Sequence, residues 1–228
     1  MRDNARGADL AKAFMYVVLG TTLAFTVASV WLIVESGEQN EIIIPDFDSP
    51  LGIAYLSSAM AFTISYVSSA VFFVLWFHRS YSNLEILDAR NVSHPTAQAA
   101  WTWFVPIMNL FRPRTIMAEI WDQYQYYAFK VSPDLKDTAP NRGLLSAWWA
   151  LWIGSSILSQ METRLADRVA SADQFIGVEM LGLVVQVMSI GAGLIVIKLI
   201  DSLKAYEEVA YEHQDDIIDG KGLFDTVL

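Results

Sequence analysis

The sequence predicts an all-α integral membrane protein, a four-helix bundle with an interfacial or re-entrant elbow and an amphipathic helix between its second and third spans. Of the 228 residues, 54% are hydrophobic and only 18% are charged, a balance that is unusual for a soluble domain. The apolar residues fall in four blocks that leave little polar sequence between them. We therefore expect a single membrane domain over residues 1–228.

Four uncharged or nearly uncharged stretches predict the spans. They lie at about residues 13–34, 51–77, 144–161 and 175–197, and the last contains one charge, Glu179. At 1.5 Å per residue the first stretch covers about 33 Å, enough to cross the hydrocarbon. No small-residue cleavage pattern follows its apolar core before Glu35, so we expect this segment to be retained and not removed as a signal peptide.

The distribution of Lys and Arg predicts the orientation, because cytoplasmic loops retain basic residues. The 35–50 loop has five acids and no base, and the 162–174 loop has only Arg164 and Arg168. The 79–142 segment has seven bases, and each chain end has three. We therefore expect both ends and the 79–142 segment in the cytoplasm.

Small residues mark the helix faces on which close packing is expected in a membrane. In the first span Gly20, Ala24 and Ala28 recur every four residues, and packing within the chain is favoured over a subunit interface. Gln186 lies in the middle of the fourth span, where an unpaired amide is costly. A hydrogen bond to another helix is the favoured interpretation, ahead of a substrate or ion role.

Residues 101–111, WTWFVPIMNLF, are strongly apolar but too short to cross a bilayer, and Pro106 interrupts them. This pattern is typical of a re-entrant or interfacial elbow. An amphipathic helix should follow, with Pro113 in its first turn, and we expect it to lie along the inner membrane surface. Its apolar face comprises Ile116, Met117, Ile120, Trp121, Tyr124 and Tyr127.

The residues on either side of the elbow carry two further predictions. Tyr81, Leu84 and Leu87 share a helical face, so the second span should continue into the cytoplasm until Asn91. Arg112 and Arg114 flank Pro113 and should face lipid headgroups or a neighbouring acid such as Glu119. Headgroup anchoring of these arginines is favoured over a dedicated ligand site.

The order of residues around the elbow resembles a family of bacterial membrane proteins known as domain of unknown function 4328. The resemblance covers about residues 70–155 and implies a membrane fold without an assigned activity. The first span and the acidic tail lie outside it. The matching residues are Trp76, Arg79, Tyr81, Asn83, the WFVP sequence at 103–106, Asn109, Pro113, Met117, Glu119, Trp121, Trp148, Trp149 and Trp152.

Composition excludes several kinds of site. Cysteine is absent, which excludes disulfides, thiolate nucleophiles and cysteine-ligated metals, and a net charge of -10 argues against nucleic acid as a partner. None of the three histidines has a second ligand at helical spacing, and no Gly-rich phosphate loop occurs. We expect no catalytic, cofactor or metal site. Residues 201–228 are expected to be a solvated acidic tail.

The favoured function is a non-enzymatic membrane scaffold or accessory subunit, with lipids and other membrane subunits or a second copy as partners. The alternative is a small transporter or channel that uses Pro106 and Asn109. A lipid-modifying enzyme using Glu119 and Asp122 has the least support. The candidate interaction or structural positions are Trp103, Phe104, Pro106, Asn109, Arg112, Pro113, Arg114, Glu119, Trp121 and Gln186.

Overall fold

The structure, a computed structural model, describes residues 1–87, 89 and 92–218, and within them the chain is all-α, as predicted. The expected end of the second span at Asn91 lies outside the described residues. The nine helices found in the described ranges are α1 (Ala5–Gln39), α2 (Pro50–Ile86), α3 (Gln98–Trp101), α4 (Pro106–Asn109), α5 (Arg112–Val131), α6 (Leu135–Thr138), α7 (Gly143–Ala166), α8 (Ala172–Glu212) and α9 (Gln214–Ile218).

Three helices, α1, α2 and α8, are long and apolar enough to cross a membrane, which identifies a membrane protein. They contain 35, 37 and 41 residues, so each is longer than the roughly 20 residues that a bilayer requires. Helix α7 contains the third predicted span but is not one of these three, because Trp and Ser replace many of its aliphatic positions. Asn40, with a φ of 52°, ends α1 in the left-handed conformation that asparagine tolerates.

The chain divides into two compact units. The polar unit consists of Met1–Ala13, Ala70–Ser146 and the described residues from Val196 onward. The apolar unit consists of Phe14–Ser69 and Ala147–Ile195. Helices α1, α2 and α8 each contribute residues to both.

In the apolar unit, α1 packs on α2 through small hydroxyl side chains and aromatic rings. The Thr21 and Ser65 hydroxyl oxygens lie 2.8 Å apart, and the Ser69 hydroxyl donates to the Met15 sulfur at 3.2 Å. Phe25 meets Tyr55 edge to face at 5.2 Å between ring centroids. Ser65 and Ser69 thus lie on the side of α2 that contacts α1.

Helix α8 packs on both α1 and α7 in this unit. Gln186 donates to the Ser29 hydroxyl on α1 at 3.3 Å, which is the interhelical partner expected from its position. Gly154 on α7 leaves room for Met188, whose terminal carbon would lie 2.6 Å from a Cβ at that position. Close approach of the two backbones is typical of helix packing in lipid.

The predicted small-residue ridge of α1 is only partly buried. Ala28 is buried, but Gly20 and Ala24 are exposed, and no atom lies within 4 Å of a Cβ placed on Gly20. The interpretation that the whole ridge packs within the chain was therefore wrong. The helices of this unit contact the other side of α1, where Ser29 and Thr22 are buried.

In the polar unit, α5 is amphipathic as predicted, and Pro113 stands at its first turn. Its apolar face is covered by the protein, however, because Ile116, Met117, Ile120, Trp121 and Tyr124 are all buried. Only Tyr127 of the predicted face is partly exposed. The expectation that α5 offers this face to the membrane surface was wrong, since the same face packs into the unit.

The predicted acidic tail is also a structured element over its first part. Residues 201–212 continue α8, and Leu203, Tyr206 and Ala210 are buried. Exposed acids alternate with these apolar residues at helical spacing, which composition averaged over the segment conceals. Residues 219–228 lie outside the described residues.

Replacing Gln186 by Leu should destabilise the apolar unit by about 0.5–2 kcal/mol, because the bond to Ser29 is lost. Thermal unfolding in a mild detergent measures the change. Val187→Leu, at an exposed neighbouring position, is the control and should leave the midpoint unchanged. An equal effect of the two substitutions would contradict a structural role for the amide.

Candidate functional site

The centre of the polar unit is a buried carboxylate, Glu207, whose side chain is only 5% exposed. It lies on α8 beyond the uncharged stretch, which Lys198 closes, so it is outside the membrane-spanning segment. No Lys, Arg or His in the described ranges forms an ion pair with it. A buried acid without a counter-charge needs neutral hydrogen-bond donors.

Four side chains from three parts of the chain supply those donors. The Asn83 amide donates to Oε1 at 3.0 Å and the Ser80 hydroxyl to Oε2 at 3.1 Å, both from α2. The Asn4 amide lies 3.3 Å and 3.2 Å from the two oxygens. The Tyr124 hydroxyl of α5 is 3.3 Å from Oε1 and 2.9 Å from the Ser80 carbonyl. Glu207 thus joins α1, α2, α5 and α8.

The beginning of the chain is fastened to α2 beside this carboxylate. The Arg2 backbone N–H donates to Asn83 Oδ1 at 2.9 Å, and Asn83 Nδ2 donates back to the Arg2 carbonyl at 2.8 Å. Gly7 leaves room for the Asn4 side chain, since a Cβ there would lie 2.6 Å from Asn4 Oδ1, and it lies beside Trp76, whose Cβ would be in ordinary contact at 3.8 Å. These contacts fix an antiparallel register between the start of α1 and the end of α2.

Burial is the main influence on the acid–base behaviour of this cluster. It raises the pKa of Glu207 above its ordinary value, although the bonds from Asn83, Asn4, Ser80 and Tyr124 oppose the shift. Burial, together with the nearby Glu207 carboxylate, raises the pKa of Tyr124 well above its ordinary value. Tyr124 is therefore protonated throughout the physiological range and acts as a donor.

A second cluster surrounds Glu119 and attaches the segment after α2. The Tyr81 hydroxyl donates to Glu119 Oε2 at 2.6 Å, and the Ser93 backbone N–H donates to the same oxygen at 3.2 Å. The His94 N–H donates to the Tyr81 oxygen at 3.1 Å, and its ring lies 3.8 Å from Glu119. Arg112 Nη1 is 3.2 Å from both ring nitrogens of His94. The carboxylate holds residues 93–94 against α2 and α5.

The two arginines beside Pro113 have different contacts from those expected. Arg112 reaches Glu119 only through His94, and Arg114 donates to the Ser146 hydroxyl at 2.9 Å. The sequence suggested headgroups or Glu119 as their partners. It did not indicate His94 or Ser146, because the positions of these two residues depend on tertiary contacts. Direct pairing of either arginine with Glu119 is not formed.

The 101–111 segment begins at the last residue of α3, continues through a turn before Pro106 and contains the short helix α4. Trp103 packs edge to face on Phe73 and Phe77, with ring centroids 5.5 and 5.6 Å apart. Phe104 is 78% exposed and Ile107 is 76% exposed. One side of the segment is thus anchored on α2, while its other side presents large apolar groups outward.

The remaining predicted positions are distributed between the two units. Trp121 is buried and meets Tyr206 edge to face at 5.9 Å between ring centroids. The Asn109 side-chain oxygen is buried and has no hydrogen-bond partner in the described ranges. Gln186 belongs to the apolar unit, so it is not part of either carboxylate cluster.

Sequence reasoning missed Glu207, Asn4, Ser80 and the part that His94 plays. One signal was available for the first of these. Apolar residues continue at helical spacing beyond Lys198, and Glu207 falls on their face. The buried members of this stripe are Val196, Leu199, Ile200, Leu203, Tyr206 and Ala210.

Within the described ranges, no group of three or more His, Asp or Glu side chains is arranged to hold a metal ion. The donors around Glu207 are amides and hydroxyls, whose hydrogens point at its oxygens. This arrangement suits a carboxylate or a carboxylic acid and not a cation, because the lone pairs that would bind a cation already accept hydrogen bonds.

Glu207→Gln should remove a pH-dependent loss of stability. Because folding raises the pKa of this acid, its protonated form stabilises the folded state fully below pH 4.5, and that stabilisation is lost as the pH rises through the raised pKa. The thermal midpoint of the variant, compared with that of the unaltered chain, should therefore rise as the pH increases from about 4.5 to about 8. Thermal unfolding in detergent across this range measures it.

Glu208→Gln is the matched control, since Glu208 is the next residue and its side chain is 50% exposed. Its profile should follow that of the unaltered chain. If Glu207→Gln also follows the unaltered profile, the buried carboxylate does not titrate with folding in this range.

Tyr81→Phe should loosen residues 93–94, because both the donor to Glu119 and the acceptor for the His94 N–H are lost. Amide hydrogen exchange of this segment should become roughly tenfold or more faster, as expected for losing a charge-assisted hydrogen bond. Tyr126→Phe, at an exposed position on α5, should leave the exchange rate unchanged. Equal protection in both variants would show that Glu119 does not retain the segment.

The comparison with known families covers part of the residues that form these clusters. A family model described as domain of unknown function (DUF4328) matches residues 53–205, which extends the resemblance beyond residues 70–155 into most of α2 and α8. The matching region contains Tyr81, Asn83 and Glu119 and ends two residues before Glu207. Searches of curated proteins and of solved structures gave no match. The model covers more than half of the chain, and the chain therefore belongs to the DUF4328 family.

Proposed function

We propose that this protein is a non-enzymatic scaffold or accessory subunit of a larger membrane complex, located in a bacterial inner membrane. The observation that carries the proposal is the outward-facing part of the α1 ridge. Gly20 and Ala24 are exposed, although small residues at this spacing are those that allow two helices to approach closely in lipid. A helix of another subunit or of a second copy would fit this face.

A four-helix bundle is the arrangement that this proposal requires in the membrane. Its support is the set of contacts in the apolar unit, where α1 packs on α2 and α8, and α7 packs on α8. Residues 144–161 would be the remaining crossing. The distribution of bases then favours both chain ends and the 79–142 segment on the cytoplasmic side.

The 101–111 segment would lie in the interface of the inner leaflet in this arrangement. Phe104, Ile107 and Phe111 point away from the unit, and exposed apolar side chains next to a membrane span favour insertion among headgroups. Trp103 would hold the segment at that depth through Phe73 and Phe77.

The polar chemistry of the chain also favours a structural role. Glu207 and Glu119 both accept several bonds from side chains or backbone of the same unit. Both oxygens of Glu207 and one oxygen of Glu119 are engaged in this way. A small transporter or channel around Pro106 and Asn109 has less support, since the predicted spans contain a single charged residue, Glu179.

Association through the α1 ridge can be tested with a single substitution. Ala24→Leu should disrupt a stable self-assembly or partner complex, because the added side chain separates the two helices. Native mass spectrometry after extraction in mild detergent measures the assembly, and proteomic analysis of the same sample identifies a different subunit if one is present.

Ala61→Leu is the matched control, because it makes the same change at an exposed position on α2. It should leave the complex intact. A chain that migrates alone before any substitution, or a complex that survives Ala24→Leu, would refute the proposal.

A further inference from the structure

A groove in the polar unit combines basic and apolar walls. It has a volume of about 550 Å³ and lies between the first turns of α1 and the end of α2. Volumes of this size are typical of small-molecule sites. Its walls include Arg2, Arg6 and Arg79 as well as Leu10, Phe72 and Leu75.

The basic side of the groove stands out in an acidic protein. Three arginines and one acid, Glu85, line it, whereas the whole chain carries a net charge of -10. In the described ranges, no carboxylate lies within salt-bridge distance of Arg2, Arg6 or Arg79. Glu85 accepts a hydrogen bond from Thr96. The three guanidinium groups are exposed and available to an anion.

The nearest acids of α1 and α8 are engaged by other bases. Asp9 accepts from Lys204 at 2.8 and 2.9 Å, and Asp201 accepts from Lys12 at 2.7 Å. These pairs leave the arginines of the groove as a separate positive patch. Several positive groups in one patch attract phosphate more strongly than isolated surface bases do.

The polarity of the groove changes along its length. The contacts between Arg2 and Asn83, Asn4 and Ser80, and Gly7 and Trp76 give α1 and α2 an antiparallel register. Continuing this register brings Leu10 beside Phe72 and places both toward the predicted spans. The arginines lie toward the opposite end, outside the uncharged stretches.

We propose that this groove binds an anionic glycerophospholipid, whose phosphate headgroup contacts Arg2, Arg6 and Arg79 and whose acyl chains lie along Leu10, Phe72 and Leu75. Guanidinium groups match phosphate oxygens through paired hydrogen bonds. Basic pockets between helices at a membrane edge are suited to such headgroups. The site is independent of the α1 ridge, because Gly20 and Ala24 do not line it.

The test counts lipid molecules bound to the full chain by native mass spectrometry in mild detergent. Phosphatidylglycerol, phosphatidylcholine and inorganic phosphate are titrated separately. The double variant Arg6→Gln with Arg79→Gln should weaken phosphatidylglycerol binding roughly tenfold or more, since each base near a membrane contributes to the attraction of anionic lipid. Phosphatidylcholine should bind the unaltered chain several-fold more weakly.

Arg164→Gln with Arg168→Gln is the control, because it removes two exposed arginines elsewhere without affecting the groove. It should retain the affinity of the unaltered chain. If the first double variant unfolds, Arg6→Gln alone should weaken binding and Arg6→Lys should restore most of it.

Three results would overturn the proposal. Equal affinity for phosphatidylglycerol and phosphatidylcholine, or equal binding by the Arg6 and Arg79 variant, would show that the arginines do not select an anionic lipid. Inorganic phosphate that displaces the lipid at comparable concentration would assign the groove to a soluble anion. A Leu75→Gln variant that weakens long-chain lipid but not inorganic phosphate would support the apolar half of the site.

Discussion

The polar unit depends on the burial of one carboxylate without a cationic partner. Burying Glu207 removes a charge from water, and this cost is offset only while donors from the residue before α1, from α2 and from α5 converge on it. Displacement of any one of these three parts leaves the acid incompletely bonded. The arrangement selects one packing of these helices, which nonspecific apolar contacts alone would not do.

The polar unit also contains two groups of aromatic rings that pack on one another. Trp121 and Phe129 both meet the ring of Tyr206, the residue directly before the buried acid on α8. On the other side, Phe73, Phe77 and Trp103 form a second aromatic group. These rings exclude water near the hydrogen bonds and so strengthen them.

Sequence patterns were informative where the chain obeys a single periodicity. Uncharged length predicted α1, α2 and α8, and the spacing of Ile116, Ile120 and Tyr124 predicted α5. Periodicity identifies an apolar face but not what covers it. The apolar face of α5 packs in the protein, whereas Gly20 and Ala24 of the α1 ridge are exposed. Both outcomes depend on contacts between residues far apart in the chain.

The candidate site was predictable only in part for the same reason. Glu119, Trp121 and Arg112 stand close together in sequence with recognisable neighbours, and they were identified. Glu207 was grouped with exposed acids because its identity resembles theirs and its burial arises from tertiary packing. Asn4 gave no signal at all, since a polar residue before a helix is ordinarily an N-cap.

The bond between Asn4 and Glu207 joins residues 203 positions apart, and this separation has a consequence for biosynthesis. At ribosomal rates of roughly 5–20 residues per second, Asn4 waits on the order of 10–40 s before its acceptor is translated. During that interval Ser80, Asn83 and Tyr124 also lack this acceptor. Closure of the cluster is thus a late event that follows synthesis of every helix it joins, and a chain truncated before α8 lacks the group that completes it.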